Sequence, residues 1–421
     1  MDEGTRSGTS REGPSIDDMP RVTSYREAEE VLRSPDLASV LHARDSAAIV
    51  AGNVLTLSGE EHRTRRREEA GVVSFRALRG YEREVLVPSI ELAFTAAASQ
   101  PGPDGVVRVD LLDLARTVLV QVTAAVIGLD GVDDPDSAFR LQTIAKQVGE
   151  GVSVEWSVVD HQQVIDTALA ARGEFVRDYY RPALDRRRAL LERVGCGALS
   201  EDDLPHDLLM SLLRYHADDW DDGLWQREAA FYLVASANTT TYAVPHVVAE
   251  LEAWLAEHPQ DRDRRDDLGF LQRVVNEALR LHFPVPALPR LALRDVTIDV
   301  TGRHIAAGEH VAVDLHAANR DPEVFGSNAD RFDPHREAGD ARRPFGLSFG
   351  AGPHRCPGRP LAVGDPMRPA HADEQVIGAI VRLLHELVRA GARLDPDDPP
   401  QLRTDTAQAK YERFPLVLAA G

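Results

Sequence analysis

A mainly α-helical fold with small β-sheets is what this chain predicts. Three observations carry that prediction. Apolar residues recur at helical spacing over most of the 421 residues. Strand-like alternation is confined to short stretches after residue 295. One of only two cysteines, Cys356, stands in a stiff glycine- and proline-rich loop, Phe349-Gly350-Ala351-Gly352-Pro353-His354-Arg355-Cys356-Pro357-Gly358.

Each element follows from its local chemistry. Tyr25–Arg33 has helical spacing and strong helix formers. Helices are expected over Val109–Ile127, Thr167–Val194, Leu224–Glu257 with Pro245 inside it, Phe270–His282 ended by Pro284, and Gln375–Ala390 closed by Gly391. Arg359–Val363 opens a further helix directly after the cysteine loop. Val296–Val300, His304–Ala306 and His310–Val313 read as hairpin strands, and Tyr411–Leu418 as a terminal strand pair. Gly364–Asp373 interrupts a late helical stretch, because Pro366 and Pro369 cannot continue one. Residues 1–18 are polar with almost no apolar anchor and read as a disordered tail; no linker divides residues 19–421, which read as a single domain.

The composition excludes some function classes. A net charge of −20 argues against nucleic acid, whose phosphates require a basic footprint. No apolar run is long enough for a membrane span and no signal peptide is visible, and two unpaired-looking cysteines fit a reducing compartment, so a cytoplasmic protein is expected. Lysine occurs only at Lys146 and Lys410. Arginines cluster at Arg63, Arg65, Arg66 and Arg67 and at Arg342, Arg343, Arg355 and Arg359; this reads equally as a patch that steers an acidic partner or as a solvated basic face.

In the cysteine loop, Gly350 and Gly352 permit backbone angles closed to other residues, and Pro353 and Pro357 stiffen the turns. A helix opening just beyond favours a thiolate. One thiolate held alone suits iron in haem. Cys196, with no such loop, reads as a buried small hydrophobe.

The spacing Phe-x-x-Gly-x-x-x-Cys-x-Gly, at Phe349, Gly352, Cys356 and Gly358, resembles the haem-binding loop of the cytochrome P-450 monooxygenases. The resemblance covers about residues 20–420, strongest over 271–361, and implies the cytochrome P-450 fold with haem b (iron protoporphyrin IX) ligated through Cys356. Glu277 and Arg280, three apart on one helix face, followed by Phe332-Asp333-Pro334-His335-Arg336, look like the family's Glu-Arg-Arg triad, which braces the loop. His62, Arg66, Arg290 and His354 match the positions that hold the haem propionates, with Phe349 and Gly350 beside the macrocycle.

The resemblance breaks in the long helix. Where the family shows an acid–alcohol pair, this chain reads Ala235-Ser236-Ala237-Asn238-Thr239-Thr240-Thr241. The register makes Thr239 the catalytic alcohol, with Thr240 the alternative, and places Asn238, which cannot ionise, at the acid position. Pro245 leaves the Thr241 carbonyl without its helical partner, so a loosened turn holding water is expected there. Leu233, Ala237, Val285, Ala287 and Leu288, together with 47–57, are the expected substrate walls, and Asn53 and Asn238 the candidate polar contacts.

The implied activity is O2-dependent hydroxylation or oxidative dealkylation of a small apolar organic molecule, in a secondary-metabolic setting, with electrons from ferredoxin and ferredoxin reductase. The missing acid leaves room for peroxide-driven chemistry, desaturation, coupling or nitration. The peroxide-using branch of the family places Arg-Pro at the acid–alcohol pair, which this chain lacks. A non-catalytic haem sensor or carrier is the rival of another class.

Overall fold

The computed structural model describes residues 14–40, 46–337, 343–366 and 375–419. The helices that build and support the site are α1 (Tyr25–Arg33), α2 (Gly59–Glu68), α3 (Leu111–Ile127), α4 (Pro135–Val152), α5 (Leu208–His216), α6 (Asp222–Glu257), α7 (Leu268–Leu281), α8 (Arg359–Val363) and α9 (Ala379–Arg389). The strands are β1 (Arg21–Val22), β2 (Leu37–Ser39), β3 (Val107–Asp110), β4 (Ala287–Ala292), β5 (Val296–Thr297), β6 (His304–Ile305), β7 (His310–Asp314), β8 (Arg393–Leu394), β9 (Gln401–Leu402), β10 (Tyr411–Arg413) and β11 (Pro415–Leu418). The mainly α architecture with small sheets is as the sequence predicts.

Two apolar cores organise the molecule. The larger gathers the helices around α6, whose buried Leu233, Val234 and Ala237 pack with α3, α4 and α7. The smaller lies between α1 and a four-stranded sheet of order β1-β7-β4-β2. The segment leading into the cysteine loop bridges them, every second residue entering the two cores in turn. Phe345 and Phe349 enter the helical core, while Leu347 and Ala351 enter the sheet core. Each side of the loop is thus anchored by apolar burial.

Several expected boundaries move. The helix expected from Val109 begins at Leu111, because Val107–Asp110 pairs with β11, and Asp110 caps the new N-terminus by accepting from Leu112 N at 2.8 Å. The helix expected over 167–194 spans His161–Gly195 with a π turn at Val176–Tyr180. The last helix starts at Ala379 rather than Gln375, since Gly378 has φ +95°. Tyr411–Arg413 and Pro415–Leu418 do not pair with each other: β10 joins β9, and β11 lies between β3 and β8. Strand β4, carrying Arg290, was not expected; Pro289 within it hides its strand character, and burial between β7 and β2 supplies it. Of the tail expected over 1–18, residues 1–13 lie outside the described set. Ile16–Asp18 form a 3-10 turn whose Ile16 is buried with Met19, Ala287 and Ala312.

The break after the cysteine loop is physical. α8 ends at Gly364 (φ +77°), and a side chain there would meet the Ile377 carbonyl oxygen at 2.2 Å. Asp365 N donates to Val376 O at 3.0 Å, and Gln272 Nε2 donates to Val363 O at 3.0 Å. The rest of the expected interruption, with Pro369, lies outside the described residues.

Candidate functional site: a cavity between Cys356 and the long helix

The cysteine loop is closed by Cys356 N donating to Phe349 O at 2.9 Å. Gly350 and Gly352 take φ +67° and +65°, and a side chain on Gly352 would lie 2.6 Å from the Leu32 carbonyl oxygen of α1. That close approach is why glycine is required there. Below the loop, the Glu277 carboxylate accepts from Arg280 Nε and Nη2 (2.8 and 2.7 Å) and from Arg336 Nε (2.9 Å). Arg280, 0% exposed, also donates to the carbonyls of Asn319 and Ala329. Asn319 in turn accepts from Leu347 N at 2.7 Å and donates to Ser348 Oγ at 2.9 Å. The three residues read from sequence as a triad therefore meet, and their bonds run on to the residues just before the loop.

Cys356 opens onto a cavity of about 1200 Å³ including its mouth. Its walls bring together, from distant parts of the chain, His62 and Arg66 of α2, Thr239 and Thr240 of α6, and Phe349, His354 and Cys356 of the loop. Both candidate threonines are on the wall. Thr239 Oγ1 donates back to Ala235 O at 2.9 Å. Burial pushes the Cys356 thiol up, opposed by the backbone N–H groups of Gly358 and Arg359 and by the charges of Arg66 and Arg359.

The cations at and behind one wall call for an anion, although Arg290 is not itself one of the residues that line the cavity. Arg290, 3% exposed, has no carboxylate partner among the described residues; its guanidinium donates only to the Pro289 carbonyl at 2.8 Å. Burial pulls it down to about 10. The rings of His62 and His354 stack at 4.0 Å. Burial, then Arg66 and Arg63, takes His62 down to about 4; burial, then His62, Arg290 and Arg66, takes His354 down to about 3. A buried unpaired guanidinium is costly. Two carboxylates from a bound group would relieve it, so the residues present fit a haem with its propionates.

Other expected site residues do not reach the cavity. Asn238 points the opposite way: its Nδ2 donates to Ala145 O of α4 at 2.8 Å, and it fills the space left by Gly149, where a Cβ would sit 1.9 Å from that nitrogen. Leu233 and Ala237 are buried in the helical core. Val285 is not on the cavity wall, Ala287 packs on Ile16 and Met19, and Leu288 packs against the sheet core. Asn53 is fully buried and accepts from Leu55 N at 3.1 Å. Within 47–57, Val54 and Leu55 do form wall. The loosened turn expected near Pro245 is absent: residues 222–257 are helical throughout.

Part of the expected arginine cluster is engaged in other contacts, while Arg66 donates to Arg355 O at 3.1 Å and Arg63 and Arg67 stay exposed. Arg65 is buried against Glu228, Arg343 donates to Gly350 O at 3.0 Å, Arg359 pairs with Asp365 at 3.1 Å, and Arg342 lies outside the described residues. Cys196 is exposed, not buried. The sequence reading missed Tyr81, Phe231, Tyr232 and Ser236 on the walls. Two of these were within reach, since 232, 235, 236, 239 and 240 follow the spacing of one helix face.

A family model described as cytochrome P450 matches residues 243–364. Among curated proteins, the chain is 28% identical over 327 residues to cyclomarin C epoxidase CymV of Salinispora arenicola (76% of this chain, 72% of that protein). It is 29% identical to erythromycin C-12 hydroxylase of Saccharopolyspora erythraea (81% and 77%). Among solved structures, a mutant of P450 EryK in complex with erythromycin B superposes with a TM-score of 0.62 at 25% identity (95% of this chain, 90% of that one), and CalO2 with 0.69 at 21% (95% and 91%).

Proposed function

We propose that the chain is a cytochrome P450 of bacterial type, a monooxygenase that works with haem iron, a small-molecule substrate, O2 and an external redox partner, as the matching family model and the curated relatives support. From that premise we propose that it hydroxylates or oxidatively dealkylates an apolar organic molecule, with electrons from a ferredoxin and its reductase. The observation that carries the proposal is that Cys356 and the hydroxyl-bearing face of α6 share one largely apolar cavity. The names of the two curated relatives, a hydroxylase and an epoxidase of natural products, support the same substrate class and add epoxidation as an outcome.

Haem b fits best: with two cysteines and no Cys-x-x-Cys-His, the chain lacks the means of covalent attachment. Cys356 would hold its iron, which supplies the oxygen-activating chemistry. His62, Arg66, Arg290 and His354 would hold its propionates, the two arginines as charges and the two histidines as hydrogen-bond donors. The Glu277–Arg280–Arg336 network keeps the loop in place so that the sulfur position does not drift. Val54, Leu55 and Phe231 exclude water and present apolar surface to the substrate. Thr239, with Thr240 one residue on, would donate a hydroxyl hydrogen bond beside the reacting oxygen. Peroxide-driven turnover is the second reading, favoured by the orientation of Asn238 away from the cavity.

The test is a reduced, CO-bound difference spectrum of the purified protein, followed by a spectral-shift screen of apolar compounds on the ferric form. Turnover is then compared with a reconstituted donor chain and with hydrogen peroxide alone. A thiolate-type CO band, lost in Cys356→Ser, and turnover driven by the donor chain are expected. Absence of the band overturns the haem-thiolate reading, and turnover with peroxide only overturns the choice of chemistry.

A further inference from the structure

With Asn238 turned into α4, the cavity wall has no acid on the α6 threonine run, yet a buried acid stands two turns earlier. Tyr232 and Thr239 both line the cavity from α6, seven residues and about 10 Å apart along the axis. The Tyr232 hydroxyl donates to Oε2 of Glu69 at 2.8 Å. Glu69 follows the last turn of α2, is 2% exposed, and its Oε1 has no hydrogen-bond partner among the described residues. From these contacts we propose that Glu69 and Tyr232 are the proton-delivering pair of this enzyme, doing the work for which the α6 run has no acid. The proposal rests on the monooxygenase reading above.

The surroundings favour the protonated form of Glu69. Burial raises it well above the usual carboxylate range, the Glu228 carboxylate adds to the rise, and the Tyr232 hydroxyl, Arg65 and Arg66 oppose it. Glu228 is itself held by Arg65 and by the Val54 amide. With Glu69 protonated, the 2.8 Å bond reverses: the carboxyl donates to the phenol oxygen, and the phenol hydrogen turns toward the cavity. Each delivery then balances. Tyr232 releases its proton into the cavity, where water carries it along the α6 face to the oxygen being reduced beside Thr239, and takes the proton of Glu69, leaving a carboxylate that is refilled from solvent. Two such deliveries meet the stoichiometry RH + O2 + 2 electrons + 2 protons giving ROH + H2O, with the electrons from the external donor.

The test uses the haem-loaded protein and its Glu69→Gln and Tyr232→Phe variants. Wild type should show at neutral pH an infrared C=O stretch of a protonated carboxyl that vanishes in Glu69→Gln and shifts in Tyr232→Phe. Donor-driven turnover of Glu69→Gln should fall about 100-fold, the low end of general-acid contributions, with a larger solvent-deuterium isotope effect. The reduced-CO band and the substrate-induced spectral shift should stay as in wild type. Should Glu69→Gln not fold, Tyr232→Phe carries the test. No protonated-carboxyl band assignable to Glu69, or wild-type turnover and isotope effect in the variants that fold, overturns the proposal. Loss of the CO band from wild type itself would instead strike the family reading.

Discussion

Single side chains divide into those whose type declares their task and those whose direction does. Cys356 and Gly352 are of the first kind: nothing but glycine fits φ +65° with a carbonyl 2.6 Å from where its side chain would begin. Gly352→Ala should cost about 2–4 kcal/mol from the left-handed backbone and the clash combined, read as a lowered urea midpoint. Asn238 is of the second kind. Its sequence register sets it beside Thr239, and only the packing of α4 shows that it donates to Ala145 O. Asn238→Asp replaces a donor by a carboxylate facing that carbonyl. Stability should fall by about 1–3 kcal/mol in denaturant unfolding, and donor-driven turnover should not rise. Restored or increased turnover would put the acid back on α6.

Elements are where the long-range supports of the site become visible. The triad was legible because Glu277 and Arg280 are three apart on one helix and Arg336 follows a recognisable turn, but its connection through Asn319 to Leu347 and Ser348 was not. Removing the charge of Glu277 leaves two guanidiniums, one fully buried, without their carboxylate. Glu277→Gln should therefore cost about 3–5 kcal/mol and release haem faster to an apoglobin scavenger, while Cys356 itself is untouched. Strand β4 shows the converse. Its six residues read locally as a proline-containing connection, and the ladders to β7 and β2 make it the central strand that delivers Arg290 to its buried position.

At the scale of the molecule, the chain is two apolar cores with the cysteine loop clamped between them. Among the described residues no helix is long and apolar enough to cross a membrane. Between α6 and α7, the His246 and His282 rings stack at 5.0 Å, and His246 Nε2 meets Ala409 O at 2.8 Å. Burial, then the neighbouring His282, lowers His246 to about 4. Its folded value lies below the unfolded ~6.5, so the unfolded chain binds the proton first. The associated stability is full above about pH 6.5 and is lost as pH falls toward 4. His246→Gln should flatten that part of the curve of denaturant midpoint against pH.

Residue types at short spacing determined the helical class and the stiff cysteine loop, because those signals are local, while the triad and the propionate-type cations were read only through a family resemblance. Which side chains face the cavity was decided only in three dimensions. A helix face is chosen by what packs against it, so Asn238 went to α4, Leu233 and Ala237 to the core, and Tyr232, bonded to Glu69 behind it, to the wall.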